Sequence, residues 1–315
     1  MIPLIVIEGA TASGKSGLAI QLAKELNTEI ISADSRQVYK YMDIGTAKVT
    51  PDDLREVKHH LVSLIPPDQS FNAGMFAKLA TEAINSIWAA NKIPIICGGT
   101  GLYVQSLLQG LCYLPNIPQQ IRTRLKEQLE AEGIASLYHK LQVVDASFAS
   151  KISENDSQRI LRGLEVFIAT GIPISQHWQN QIQDNPYKVF RILLDLPRDL
   201  LYNRINDRIM NMIDIGLLEE ITGLLSNGYT ESSPGLKSLG YKEFLPFINR
   251  VSSLEDCLAS AAQHHRNYAK RQVTWYRKCT FDLTLADSSV RISEVVNNIK
   301  DLLTGEENAN RRESI

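Results

Sequence analysis

From the amino end, apolar and polar positions come in blocks. IPLIVIE, residues 2–8, is a continuous apolar run, the pattern of a strand buried on both faces of a parallel sheet. KSGLAIQLAKEL, residues 15–26, places Leu18, Leu22 and Leu26 at i, i+4 and i+8, which predicts a helix with one apolar stripe. TEIISAD (28–34) and HHLVSLI (59–65) predict a second and third strand, the former ending on an acid. Residues 72–91 predict a long helix with Phe76, Leu79, Ala80, Ala83, Ile84 and Ile87 on its apolar face. KIPIICGGTG, 92–101, is a further strand entering a glycine turn. This order predicts an α/β fold, a doubly wound parallel sheet with functional loops at the carboxyl ends of its strands.

The texture changes between Pro115 and Pro186. That stretch is polar, and segments such as IRTRLKEQLEAEG and DSQRILRGLEVFIATG carry a 3.6-residue apolar period, so it reads as an all-helical insertion. KVFRILLDL (188–196) restores a strand, 197–276 is mainly helical, TFDLTLAD (280–287) reads as one more strand, and a helix closes near 291–303. The expected organisation is a P-loop core over 1–114, a helical insertion over 115–185 and the resumed core over 186–304. The tail, 305–315, is polar and expected to be disordered.

A length of 315 residues allows one large α/β domain and a smaller one. With 44% hydrophobic and 22% charged residues the chain is of ordinary globular type. A net charge of −2 provides no overall field toward nucleic acid or membrane, so a polyanionic partner must be met by local patches. Cys97, Cys112, Cys257 and Cys279 are far apart without a C-x-x-C, as for thiols of a reducing cytosol. No segment reaches the roughly 20 apolar residues of a membrane span. The expectation is a cytoplasmic enzyme, working as a monomer without membrane contact.

The chemistry begins at GATASGKS, Gly9, Ala10, Thr11, Ala12, Ser13, Gly14, Lys15 and Ser16, which fits the phosphate-loop pattern G-x-x-x-x-G-K-[ST] between a predicted strand and a predicted helix. Its backbone N–H groups and helix end suit phosphate oxygens, Lys15 adds a charge, and Ser16 offers a hydroxyl to Mg²⁺. The loop alone does not name the phosphate. A GTPase needs N-K-x-D, and NKIP at 91–94 lacks the Asp; a motor ATPase needs an acid at a strand end, where this chain has Cys97-Gly98-Gly99-Thr100. The acid stands instead at Asp34, followed by Ser35, Arg36, Gln37 and Tyr39. Asp34 is open to three roles, general base, metal ligand or turn cap. Arg204 and Arg208, four residues apart, read either as a diphosphate clamp or as a salt-bridged helix face. His264 to Lys278 carries five positive charges and no acid, interleaved with Tyr268, Trp275 and Tyr276. That stretch suits RNA contact, with amphipathic packing as the plainer alternative and Trp275 as a core residue. The six histidines complete no metal site.

GATASGKS, ADSRQVYKYMDIGTAK, IPIICGGTGLYVQSLLQG, NDSQRILRGLEVF and AKRQVTWYRK, in that order, resemble the bacterial tRNA dimethylallyltransferases, also called tRNA isopentenyltransferases. The resemblance runs from about residue 3 to the low 280s. It implies transfer of a dimethylallyl group from dimethylallyl diphosphate to N6 of adenosine 37 in tRNA, with Mg²⁺ and release of diphosphate. It further implies that Gly9 to Ser16 holds the diphosphate and that Asp34 is the general base. Ser35, Arg36 and Gln37 would contact the flipped base and its neighbours, Thr100 would stand near the reacting centre, and Arg208, more than Arg204, would steady the leaving group. Arg122 and the run Gln158, Arg159, Ile160, Leu161 and Arg162 would meet the anticodon stem-loop in the insertion, and Lys270 and Arg271 would add RNA contacts. Family members usually carry Pro where Ala10 stands and Thr where Ser16 stands; both changes keep the loop and its hydroxyl. An adenylate isopentenyltransferase, a small-molecule kinase and a non-enzymatic RNA-binding P-loop protein are the alternatives.

Overall fold

The computed structural model describes residues 1–110, 117–179, 185–286 and 292–304. Cys112, the expected boundary at 114/115 and the tail 305–315 lie outside the described residues. The chain forms two compact units, one of Met1–Gln109 with Asn185–Ile315 and one of Gly110–Asp184.

The first unit is built on β1 (Ile2–Gly9), α1 (Lys15–Glu25), β2 (Ile30–Ser32), α2 (Pro51–Glu56), β3 (His59–His60), α3 (Ala73–Ala89), β4 (Ile95–Gly98) and α4 (Gly101–Leu108). The second unit contributes the next four helices, α5 (Gln119–Val144), α6 (Ala146–Ala149), α7 (Ser157–Thr170) and α8 (Ile174–Gln179). The first unit then resumes with β5 (Tyr187–Leu194), α9 (Arg198–Asp214), α10 (Leu217–Ser226), α11 (Leu245–Ile248), α12 (Leu254–Tyr276), β6 (Leu283–Leu285) and α13 (Ile292–Thr304).

The six strands form one sheet, ordered β3-β2-β4-β1-β5-β6, and every pairing is parallel. The central strand β1 is flanked on both edges, with Ile5 opposite Ile95 on one side and Phe190 on the other. Its alternate residues feed two cores. Ile5 and Ile7 pack with α1 and α13, and Leu4 and Val6 pack with Phe76, Ile84 and Val104 of α3 and α4. The apolar face expected for residues 72–91 is the one buried, through Phe76, Ala80, Ala83, Ile84 and Ile87. A third core, around Tyr241, Phe244, Ile205 and Ile221, joins α9 to α12 to the segment after β2.

Two expectations are corrected. HHLVSLI is a strand only at His59–His60, because Leu61 and Ser63 take left-handed φ of 63° and 52° and turn the chain. Ile65 rejoins through a single bridge to Tyr39. TEIISAD is a strand only over Ile30–Ser32.

The second unit is all helical among its described residues. Leu137, Leu141, Ile160, Leu164 and Val166 form its core, and a Cβ on Gly163 would meet Leu141 Cδ1 at 2.7 Å, so α5 and α7 approach closely there. α5 kinks at Gly133, whose φ of 78° breaks the helix. Buried Asp145 caps α6 at Phe148 N–H and receives both the N–H and the hydroxyl of Ser175.

At the amino ends of the strands, Glu29 gathers His60 at 2.7 Å, Lys58 at 3.0 Å and Lys92 at 3.2 Å. Burial pushes its carboxyl up, but the hydrogen bonds from His60, Lys58 and Lys92 outweigh this and hold it at about 2, below the usual 4.5. A depressed carboxylate stabilises the fold fully above its unfolded pKa and loses that contribution as pH falls toward the folded value. Glu29→Gln is therefore expected to lower thermal stability at neutral pH, with the difference from wild type shrinking between about pH 4.5 and 2. Thermal unfolding of both proteins across that range checks this; a constant difference would remove Glu29 from acid sensitivity.

Candidate active site

The phosphate loop starts where β1 ends. Gly9 has φ of 156°, and a Cβ there would lie 2.7 Å from Leu194 O and 2.9 Å from Ser13 Oγ, so only glycine fits. Ala12 and Gly14 take φ of 63° and 95° before α1 begins at Lys15. The turn aims the amino end of α1 into a cavity of about 370 Å³ at the carboxyl ends of β1, β2 and β4.

Residues singled out in the sequence converge on its walls: Thr11, Ala12, Gly14, Lys15 and Ser16 of the loop, with Asp34, Arg36, Gln37, Arg204, Arg208 and Tyr268. Lys15 Nζ donates to Ala10 O at 2.7 Å, and Arg208 Nη2 donates to Thr11 Oγ1 at 2.6 Å. Arg208 Nε is buried with no hydrogen-bond partner among the described residues. Burial lowers the pKa of Lys15, and nearby Arg208 adds to this against the opposing pull of Cys97 and Asp34. Burial likewise lowers Arg208, against Asp34. Two desolvated cations in one hollow are a built receptor for an anion, whose charge would restore what burial removes.

Asp34 faces them. Its Oδ1 accepts Arg36 N–H at 2.8 Å and Gln37 N–H at 3.4 Å, an Asx-type turn that fixes the carboxylate, while Oδ2 has no hydrogen-bond partner among the described residues. Thr100 is half-buried at the end of β4, its Oγ1 accepting Ser35 N–H at 3.1 Å and so joining the ends of β2 and β4, and its side chain hydrogen-bonds Tyr268 of the cavity wall. Thr100, Gly9, Ala10, Ser13 and Ser35 are outside the lining.

The remaining candidates are placed elsewhere. Lys270 and Arg271 are exposed on α12, with Arg271 5.7 Å from the Tyr268 ring centre. In the helical unit, Arg162 and Arg122 lie 3.4 Å and 3.9 Å from Glu165, and Arg159 lies 3.5 Å from Asp156. Gln158 is exposed, Leu161 half-buried, and Ile160 spends its side chain on the core. Trp275, expected inside, is half-buried and presses its indole on Gly101, where a Cβ would overlap it.

Sequence reasoning missed Gln272, His265 and the 45–47 segment as cavity residues. Gln272 Oε1 accepts Thr11 N–H at 2.8 Å and its Nε2 donates to Gly99 O at 2.8 Å, bolting the phosphate loop to the end of β4. His265 is held near 4 by burial, so it is neutral at physiological pH, with Nδ1 on Ala261 O. Tyr268 and Cys97 are pushed up by burial, to about 12 and about 11, so neither ionises in use. The available signal was the spacing 265, 268, 272, one helical stripe of polar residues within an otherwise apolar face. Among the described residues no cluster of three or more His, Cys, Asp or Glu could hold a metal.

A family model described as IPP transferase matches residues 37–279. A curated tRNA dimethylallyltransferase from Syntrophotalea carbinolica is 42% identical over 279 residues, covering 88% of each chain. The crystal structure of a tRNA isopentenylpyrophosphate transferase from Staphylococcus epidermidis superposes with a TM-score of 0.68 at 37% identity, covering 97% of this chain and 100% of that one. A eukaryotic dimethylallyltransferase acting on tRNA gives a TM-score of 0.84 at 29% identity, over 97% of this chain and 80% of that one.

Gln272→Leu would leave Thr11 N–H and Gly99 O without their partners, an expected loss of about 1–3 kcal/mol for each group that stays buried. Urea unfolding measures it, and a variant within about 0.5 kcal/mol of wild type, the ordinary range for an unremarkable surface change, would dismiss the bolt.

Proposed function

The chain belongs to the IPP transferase family, the tRNA dimethylallyltransferases, and from that membership we propose that it transfers a dimethylallyl group from dimethylallyl diphosphate to N6 of adenosine 37 in tRNA. The observation that carries the reading to these residues is the cavity whose lining brings Lys15 and Arg208 together with Asp34, whose Oδ2 has no hydrogen-bond partner among the described residues. A phosphate loop alone would equally serve a kinase. The matched relatives are named for action on tRNA, which favours an RNA acceptor over free AMP. Its work would lie with the tRNA pool in the cytoplasm, and among the described residues no helix is long and apolar enough to cross a membrane.

The acceptor is a weak nucleophile stacked in the anticodon loop, so it must be flipped out at a cost of a few kcal/mol. Asp34 Oδ2 then accepts the N6–H hydrogen bond and takes the proton as the N6–C1 bond forms. The C1–O bond of the donor breaks, and its electron pair leaves with the diphosphate. Lys15, the loop N–H groups and Arg208 stabilise the charge growing there. Thr11, tied to Arg208 and Gln272, keeps these donors at fixed positions, so little reorganisation accompanies bond breaking. Ser16, exposed on the cavity wall beside Lys15, fits Mg²⁺ arriving with the diphosphate, since Mg²⁺ keeps waters and phosphate oxygens and asks few protein ligands. Bound there, the ion would supply further neutralisation of the leaving group.

Incubation with labelled dimethylallyl diphosphate and either tRNA or AMP tests the reading: label is expected on tRNA alone, and label on AMP alone or on neither overturns it. Asp34→Asn is expected to lower the transfer rate by about 10²–10⁴ with tRNA affinity nearly intact, measured by single turnover and filter binding. Near-normal transfer would remove Asp34 as the base. Replacing Lys270 and Arg271 by Ala should weaken tRNA binding and flatten its salt dependence by up to about two counterions. An unchanged slope would return that face of α12 to ordinary solvated charge.

A further inference from the structure

Glu220, on α10, does not line the cavity, yet its carboxylate collects four donors from two distant segments. Oε2 accepts Asp43 N–H and Ile44 N–H, both at 2.8 Å; Oε1 accepts Gly45 N–H at 3.2 Å and the Tyr241 hydroxyl at 2.6 Å. Such charge-assisted bonds are about twice as strong as neutral ones. The segment they grip has no helix or strand of its own, and Ala47 within it holds a left-handed φ of 49°. A backbone of this kind persists only where its surroundings over-determine it. Lys48 closes the other end, its Nζ donating to Tyr39 O at 2.6 Å and Asp43 Oδ1 at 2.5 Å.

The gripped segment continues into the site. Gly45, Thr46 and Ala47 line the cavity, and Ala47 O accepts Gln37 Nε2 at 3.0 Å. Gln37 Oε1 accepts Ser32 Oγ at 3.2 Å, and Gln37 N–H is one of the two donors on Asp34 Oδ1. A continuous run of hydrogen bonds thus leads from α10 to the carboxylate that faces the cations.

We propose that Glu220 is a positioning residue: by anchoring the 43–45 amides it fixes Ala47 and Gln37, and through them the orientation of Asp34. The role rests on the prenyl-transfer reading for its effect on rate, and on the hydrogen bonds alone for its effect on the loop. A glutamine at 220 keeps one acceptor oxygen and turns an NH₂ toward N–H donors, so it is the minimal disruption.

The test uses the full chain with Glu220→Gln, amide hydrogen exchange resolved by segment, and single-turnover transfer at saturating donor and tRNA. Exchange is expected to speed up about tenfold in 43–47 and also in 35–37, with β1 and α3 unchanged. Transfer is expected to slow about 10–100-fold while tRNA affinity stays within about twofold, the size of effect that a small misplacement of a reacting group produces. In an Asp34→Asn background the same substitution should cost less than about twofold, because residues acting as a unit are not additive. Faster exchange confined to 43–47, or a full additional loss in the Asp34→Asn background, overturns the proposal and leaves Glu220 a brace. Should Glu220→Gln fail to fold, Tyr241→Phe removes one donor from Oε1 and is read the same way; unchanged exchange in 35–37 is then the overturning result. Wild-type protein that labels no tRNA would overturn the functional reading alone, since exchange still decides what Glu220 holds.

Discussion

Two cations, Lys15 and Arg208, share one half-buried cavity, and burial works against the charge of both. Much of the surrounding structure exists to hold that arrangement. Left to itself, an ammonium would swing into water and a guanidinium would find a carboxylate. Here Lys15 is turned back on Ala10 O, and Arg208 is held to Thr11 with its Nε buried and without a hydrogen-bond partner among the described residues. Fixed donors that cannot relax are what a leaving diphosphate needs, because they stabilise its charge without first having to be gathered.

The frame that holds them is the parallel register of β1 with both β4 and β5. In a sheet of this kind all carboxyl ends face one way, so the phosphate loop after β1, Asp34 after β2 and Gly99 after β4 emerge on one side. Strand ends alone leave loops free to drift. Side chains from the later helices stop the drift: Gln272 of α12 ties Thr11 to Gly99, and Glu220 of α10 ties the segment after Asp34. The late helices thus act on the early loops by hydrogen bonds that close sequence separations of more than 170 residues.

This separation explains what the sequence made legible. Buried strands announce themselves as continuous apolar runs, and the phosphate loop is local, so 2–8, 9–16 and a strand within 92–101, observed at Ile95–Gly98, could be read directly. Asp34 stood out because it ends such a run. HHLVSLI deceived because its composition is strand-like while Leu61 and Ser63 adopt left-handed backbone, set by the packing of that loop and not by propensity. Gln272 and Glu220 were illegible for a different reason: an amide or acid on an amphipathic helix reads as surface until tertiary contacts bring its partners. Thr100 was expected near the reacting centre through the resemblance alone; its bonds to Ser35 N–H and to Tyr268 are tertiary and could not be read from GGTG.

One residue before the phosphate loop, Glu8 is fully buried, and burial raises its pKa against the pull of Arg191. A bare carboxylate in that position would repel an incoming phosphate and draw on the charge of Lys15, with which it interacts. Arg191 of β5 answers it with Nε at 3.0 Å and Nη2 at 2.5 Å, and its guanidinium lies 4.7 Å from the Phe281 ring centre. Breaking such a pair strands a buried charge, which costs several kcal/mol. The pair therefore does more than pin β1 to β5. It keeps the ground beneath the loop close to neutral, so that the field in the cavity is set by the residues that line it, the cations Lys15, Arg36, Arg204 and Arg208 with the carboxylate of Asp34 among them. A positive site holding one carboxylate would suit the proposed transfer, in which a diphosphate and a proton are received together, and neutralising Glu8 would be a condition for that division of labour.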